Sequence, residues 1–304
     1  MRWRTIAAVL LLALGCGGGD DEGEPGGADA APGGDGPPAA AEGQFFVHEV
    51  VVGEDLSRGS DALGLILDPR PELYQLAVSE GACRAFAHEP TFCGECFGIC
   101  DAEGVCQPFP TSLAAGTLHV DGTSEAFILE EEWGYRPSDP LPADLFEAGD
   151  PVTLETDGGD DVAAFSLAAA GADAIEMDLS EGEDSETGQS PGQNTLVLDD
   201  SQDLVLAWTD AMPGARVRLE LRGRNQGHGQ PLDGLIVCET DDTGSLTVPR
   251  AVLEAFPAHP YESICDGRDC PLARLVRFTR DRQTVDGREM ELEVGARRDF
   301  VAVH

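Results

Sequence analysis

Downstream of Pro110 the chain keeps returning to one pattern: apolar and polar residues alternate over a short run, and a turn rich in Gly and Asp follows. A period of two sends successive side chains to opposite faces of a strand, so each run can bury one face and wet the other. The stretch ARVRLELRGRN is the clearest case, with Val217, Leu219 and Leu221 inward and Arg216, Arg218, Glu220 and Arg222 outward. GTLHVDG pairs Leu118 with Val120 before an Asp121-Gly122 turn, and EAFILEEE follows. DPVTLETDGGDD points Val152 and Leu154 one way, TLVLDD follows further on, and DLVLAWTD sets Leu204, Leu206 and Trp208 on one face. DGLIVCETDDTGSLTVP reads as strand, tight turn, strand. REMELEVGARRDFVAVH alternates Met290, Leu292 and Val294 and then predicts a short turn into a last strand.

Upstream, GQFFVHEVVVGEDL and ELYQLAV add further strands, for ten or so in all. Only PRAVLEAF reads as a helix, opened by Pro249 as a first-turn residue. Many short alternating strands at this spacing predict an all-β fold, an antiparallel β-sandwich of the Ig-like or jelly-roll-like kind. A closed barrel is the alternative. One such body is expected over residues 44–304, with a Cys-rich segment, residues 83–106, as an excursion between strands.

The N-terminus predicts an address. Arg2 and Arg4 precede an apolar core from Ile6 to Leu14, about nine residues, where a permanent bilayer span needs about twenty. Basic start, short apolar core and small residue before cleavage make a signal peptide over residues 1–15. Leu12-Ala13-Leu14-Gly15-Cys16 resembles the lipobox of bacterial lipoproteins, with Ala13 and Leu14 interchanged. That resemblance implies diacylation of Cys16, cleavage before it and acylation of the new amine. Residues 16–43 then form a lipidated acidic linker of Gly, Ala, Pro, Asp and Glu, too poor in large apolar groups to offset chain entropy. As a flexible coil it spans roughly 30 Å, enough to clear lipid headgroups. Gly17, rather than aspartate, follows Cys16, and outer-membrane attachment is expected, facing either way.

The formal net charge is −38, from 57 acidic and 19 basic residues, and every base is arginine. Without lysine there is no Schiff base and no P-loop grip on phosphate. So acidic a chain repels nucleic acid. Pro137 to Ala215 holds 19 acids and no base, while most arginines fall between Arg216 and Arg298. The acidic tract predicts a solvated face.

Beyond Cys16 there are eight cysteines: Cys83, Cys93, Cys96, Cys100, Cys106, Cys238, Cys265 and Cys270. An even number in an exported chain predicts four disulfides. Five lie in the cluster that Cys83 opens, so at least one must reach into the C-terminal three. The simplest arrangement is a local Cys265–Cys270 loop with Cys238 bridging back to the cluster. A redox pair at Cys93 and Cys96 lacks a surrounding βαβ pattern. A zinc site from Cys93, Cys96, Cys100 and Cys106 has workable spacing, but an oxidising compartment favours disulfides.

Taken together, CRAFAHEPTFCGECFGICDAEGVCQPFP, AGTLHVDG, DLVLAWT, IVCETDDTGSLTVP and the late cysteine pair resemble a group of exported bacterial lipoproteins of unknown function. The cysteine order and the Asp241 to Ser245 turn carry that resemblance. It implies a disulfide-braced β fold on the cell envelope and brings no assigned catalytic residue.

Motifs for chemistry are sparse. There is no Gly-x-Ser-x-Gly elbow, His-Glu-x-x-His helix, Gly-x-Gly-x-x-Gly turn or EF-hand loop, and nothing calls for a cofactor. His48, His88, His119, His228, His259 and His304 are scattered, and His119 is expected to face outward. Three acidic turns carry the residue types calcium favours: Asp157, Asp160 and Asp161; Asp199, Asp200 and Asp203; and Asp241 with Asp242. Turn formation uses the same residues. Trp133 and Tyr135 have the makings of a sugar-stacking platform. The expected function is a membrane-anchored lipoprotein displaying a sandwich for structural or interaction work, with an envelope protein or glycan as partner. A carbohydrate- or calcium-binding module and an exported hydrolase are the alternatives.

Overall fold

A computed structural model describes residues 42–52, 57–68, 74–87, 99–100, 106–107, 110–131, 134–177, 195–223, 234–256 and 272–303. The fold is all-β, as the alternation predicts. In chain order the strands begin with β1 (Gly43–Val52), β2 (Ser57–Asp68), β3 (Gln75–Glu80) and β4 (Cys83–Ala87). Next come β5 (Ile99–Cys100), β6 (Cys106–Gln107), β7 (Thr111–Ser112), β8 (Leu118–Asp121), β9 (Phe127–Glu131) and β10 (Tyr135–Pro137). They continue with β11 (Pro151–Gly158), β12 (Ala163–Ala170), β13 (Thr195–Val197), β14 (Leu204–Ala207) and β15 (Arg216–Arg222). After β16 (Gly234–Asp241) and β17 (Ser245–Val248) comes the helix α1 (Arg250–Glu254), and the chain closes with β18 (Leu272–Val285) and β19 (Arg288–Val303).

Fifteen strands form one sheet in the order β12-β11-β8-β9-β10-β2-β1-β19-β18-β15-β16-β4-β3, with β13 on β19 and β7 on β2. Among the described residues the ladders are antiparallel with two exceptions. Both β1 and β13 run parallel to β19, so the first and last long strands pair side by side. The long β18–β19 hairpin turns at Asp286 and Gly287 and serves two apolar clusters. Val285, Met290, Leu292 and Val294 join Phe45, Ile66, Leu118, Leu154 and Tyr135 in the first. Ala273, Leu275, Phe300 and Ala302 join Val217, Leu219, Trp208, Leu246 and Leu253 in the second. Two layers over apolar cores make a sandwich.

The sheet does not close into a barrel. Its β12 edge returns to β18 without a backbone ladder, and side chains seal the gap. Asp281 Oδ2 accepts the Ala168 N–H at 2.9 Å, and Thr279 Oγ1 donates to the Ala170 carbonyl at 2.6 Å. An edge strand so occupied is no template for another chain.

Several local expectations are corrected. The turn predicted after Val294 is absent, and β19 runs straight through Gly295. A Cβ there would lie 2.0 Å from the Arg277 carbonyl oxygen, so glycine serves close strand approach rather than reversal. The strand, tight turn and strand read at DGLIVCETDDTGSLTVP are present, with β16 in the large sheet and β17 paired with β14. Pro249 sits one place before the helix, at its N-cap, and Asp203 Oδ1 accepts the Arg250 N–H at 2.8 Å.

Candidate functional site

The outward face expected for β15 is largely withdrawn from water, most completely at Glu220 and Arg222. Glu220 is 8 % exposed and Arg222 4 %, and neighbouring strands continue the same charged face. Register explains the arrangement. Glu220 stands opposite Arg274 on β18, which stands opposite Asp299 on β19. Arg280 faces Glu293, and Arg282 faces Glu291. Cross-strand neighbours of opposite charge meet within reach of their side chains.

At the centre Glu293 is fully buried. Arg218 grips it with two parallel bonds, Nη1 to Oε2 at 2.7 Å and Nη2 to Oε1 at 2.8 Å. This bidentate geometry is the strong form of a guanidinium–carboxylate contact. His48 Nε2 lies 3.0 Å from Glu293 Oε1, an ion-pair distance whose angle is poor for a hydrogen bond. Arg218 Nε also donates to Glu220 Oε1 at 3.0 Å, and Arg222 Nε reaches Glu220 Oε2 at 3.1 Å. Glu239 takes Arg216 Nε at 2.8 Å and a close contact from Arg280. The guanidiniums of Arg218 and Arg280 both stack over the Phe278 ring, 4.9 and 4.7 Å from its centre.

The electrostatics follow from this packing. Burial alone would raise the Glu293 carboxyl, but the charge of Arg218, with help from His48, holds it down to about 2. For Glu220, burial is likewise outweighed by Arg222 and Arg218, and its carboxyl stays well below the usual range. Arg218 loses to burial and gains more from Glu293 and Glu220, so its guanidinium is held more firmly protonated than usual. Chemically, the central part of this face is a mutually neutralised lattice.

A second polar knot fixes the Asp241 to Ser245 turn. The Asp242 carboxylate accepts from Trp208 Nε1 and the Met212 N–H, both at 2.8 Å, and pairs with Arg277 Nε at 2.8 Å. Arg277 donates onward to the Asp210 carbonyl at 3.0 Å. The knot draws the β14 segment onto the turn, which is why β17 leaves its chain neighbour for β14.

The residues singled out in the sequence are mostly dispersed. His119 is exposed on β8, as expected. Tyr135 is fully buried, its hydroxyl accepting from the Ala115 N–H at 2.5 Å, so it forms no sugar platform. Burial, partly offset by that bond, raises its phenol pKa. Asp161 accepts the Ala114 N–H, and Asp199 accepts from Ser201 and Gln202, whose bonds lower its pKa. Asp242 is engaged as described. Asp161, Asp199 and Asp242 thus each bind chain atoms close by, and among the described residues no three His, Cys, Asp or Glu side chains are grouped to hold a metal ion.

Cys83 and Cys238 form a disulfide between the adjacent strands β4 and β16. Cys238 therefore reaches back to the cysteine cluster. Cys100 and Cys106 stand opposite each other in the β5–β6 ladder. Cys16, Cys93, Cys96, Cys265, Cys270, Trp133, His88, His228, His259 and His304 lie outside the described residues, as do the signal peptide and nearly all of the linker. The buried charged face is not legible in the sequence because its partners lie far apart in the chain, as Arg218 and Glu293 do at 75 residues.

No family model matches this chain, and neither a curated protein nor a solved structure does. The class defined by fold and site is an all-β sandwich with a buried ionic layer and an inter-strand disulfide.

Proposed function

We propose that the chain is an exported lipoprotein of the cell envelope, moored to the outer membrane through lipid on Cys16. Its β body does structural or binding work there rather than catalysis, with an envelope protein or glycan as partner. The Cys83–Cys238 bridge carries this reading. Both cysteines are fully buried, and such bonds form and persist in oxidising compartments. A leader ending at Cys16 and an acidic spacer are what deliver and hold a domain in that place. A non-catalytic role is supported by how the polar groups are spent. Glu220, Glu239 and Glu293 are engaged by arginines, His48 is packed against Glu293, and His119 stands on the surface.

Replacing Cys16 by Ser tests the anchor. The expected result is that Cys16→Ser protein moves from the membrane fraction to the soluble envelope fraction. Unchanged membrane partitioning of the variant contradicts the proposal.

A further inference from the structure

At one end of the buried face arginines crowd around too few carboxylates. Arg222, Arg274 and Arg297 project from the same face of the adjacent strands β15, β18 and β19 and are each at least nine-tenths buried. One buried acid, Glu220, and one partly buried acid, Asp299, stand among them. Glu220 is already divided between Arg218 and Arg222. Asp299 Oδ1 is approached by Arg274 Nε at 3.3 Å and by Arg297 Nε at 3.1 Å, neither aligned for a hydrogen bond. Asp61 lies 3.4 Å from Arg297 Nη1 but is half-exposed, where solvent weakens the pair.

On β4 the same face carries Arg84, opposite Val237, which in turn stands opposite Glu220. The Arg84 Nε is buried without a hydrogen-bond partner, and among the described residues no ion pair is formed by it. In a chain with 57 acids and 19 bases, a buried surplus of arginine runs against composition. Burial, followed by the charges of Arg222 and Arg297, pushes the Arg274 guanidinium down to about 9. Buried cations short of counter-charge are costly, and a bound anion removes that cost.

We infer that the Arg222, Arg274 and Arg297 end of the face, with Arg84 beside it, binds a phosphate-type oxyanion. Guanidinium forks match phosphate oxygens in pairs, and tetrahedral oxygens can meet guanidiniums arriving from several strands. A dianion also supplies more counter-charge than a single carboxylate. Inorganic phosphate and a phosphate monoester share this chemistry. The inference is independent of the lipid anchor.

Titration calorimetry on the full-length protein with its disulfides intact tests it, at constant ionic strength, with inorganic phosphate, glycerol phosphate and chloride. Saturable uptake at one site is expected for phosphate or its ester and not for chloride, the tighter of the two marking a free or an esterified source. Arg274→Gln is expected to weaken uptake about tenfold or more, the loss of a charge-assisted pair. Arg84→Gln, on a less buried side chain, weakens it several-fold and decides the matter if the first variant does not fold. Absence of saturable uptake up to about 10 mM, equal uptake of chloride, or unchanged uptake in the folded variants overturns the inference.

Discussion

Asp242 shows how much one carboxylate can organise. It holds the Trp208 indole, the Met212 amide and the Arg277 guanidinium together, and Arg277 is only 4 % exposed. Asp242→Ala strands that cation without its partner, and removing one member of a buried pair costs about 3–5 kcal/mol. Urea denaturation should show a loss of that order, whereas a loss below about 1 kcal/mol would mean that Arg277 finds another partner. Glu293 adds a pH dependence. Its carboxyl is held to about 2 against an ordinary 4.5. A carboxylate depressed on folding contributes stability that is complete above its unfolded pKa and disappears as pH falls through the folded one. Urea midpoints should therefore fall between pH 4.5 and about 2, and Glu293→Gln should flatten that fall. An unaltered slope in the variant would assign the acid sensitivity to other groups.

Among the elements, Gly295 is the sharpest case. Within the longest strand, an added Cβ meets the Arg277 carbonyl oxygen at 2.0 Å and the Phe278 Cα at 2.7 Å. Gly295→Ala must push β18 from β19, with a destabilisation of about 2–3 kcal/mol typical of overpacking. Gly287→Ala meets nothing nearby and is strained only by its φ of +82°, so about 1 kcal/mol is expected. Equal losses for the two variants, read from thermal unfolding, would remove the distinction. The same glycine makes its strand read as a turn in the sequence, since a turn residue by composition here serves close packing. Strand β2 is not legible in the sequence because Gly59 and Gly64 interrupt its pattern, yet Gly64 leaves room for the Phe45 ring, 2.5 Å from where a Cβ would sit. Strand β18 was hidden by Arg274, Arg277, Arg280 and Arg282, which fall on both faces. By contrast β8, β11 and β15 were legible because a clean alternation runs along each. Alternation separates two faces, but it does not say which is wet. The charges on β15 therefore read as solvent-facing until β18 and β19 supplied their partners.

Across the whole molecule the same sheet carries the covalent link and the two apolar clusters. Cys83 and Cys238 are 155 residues apart in sequence, so their bond ties the first third of the chain to its last quarter. Breaking a native bridge of this kind costs about 2–5 kcal/mol, largely through the freedom it restores to the unfolded chain. Export to an oxidising compartment is the claim on which anchor, bridge and display role converge. Peptide mapping of the native, unreduced protein by mass spectrometry tests it most directly. The expected result is a cross-linked pair of peptides containing Cys83 and Cys238 in protein taken from the cell envelope. Recovery of both cysteines as free thiols, from protein residing in the cytosol, would contradict it.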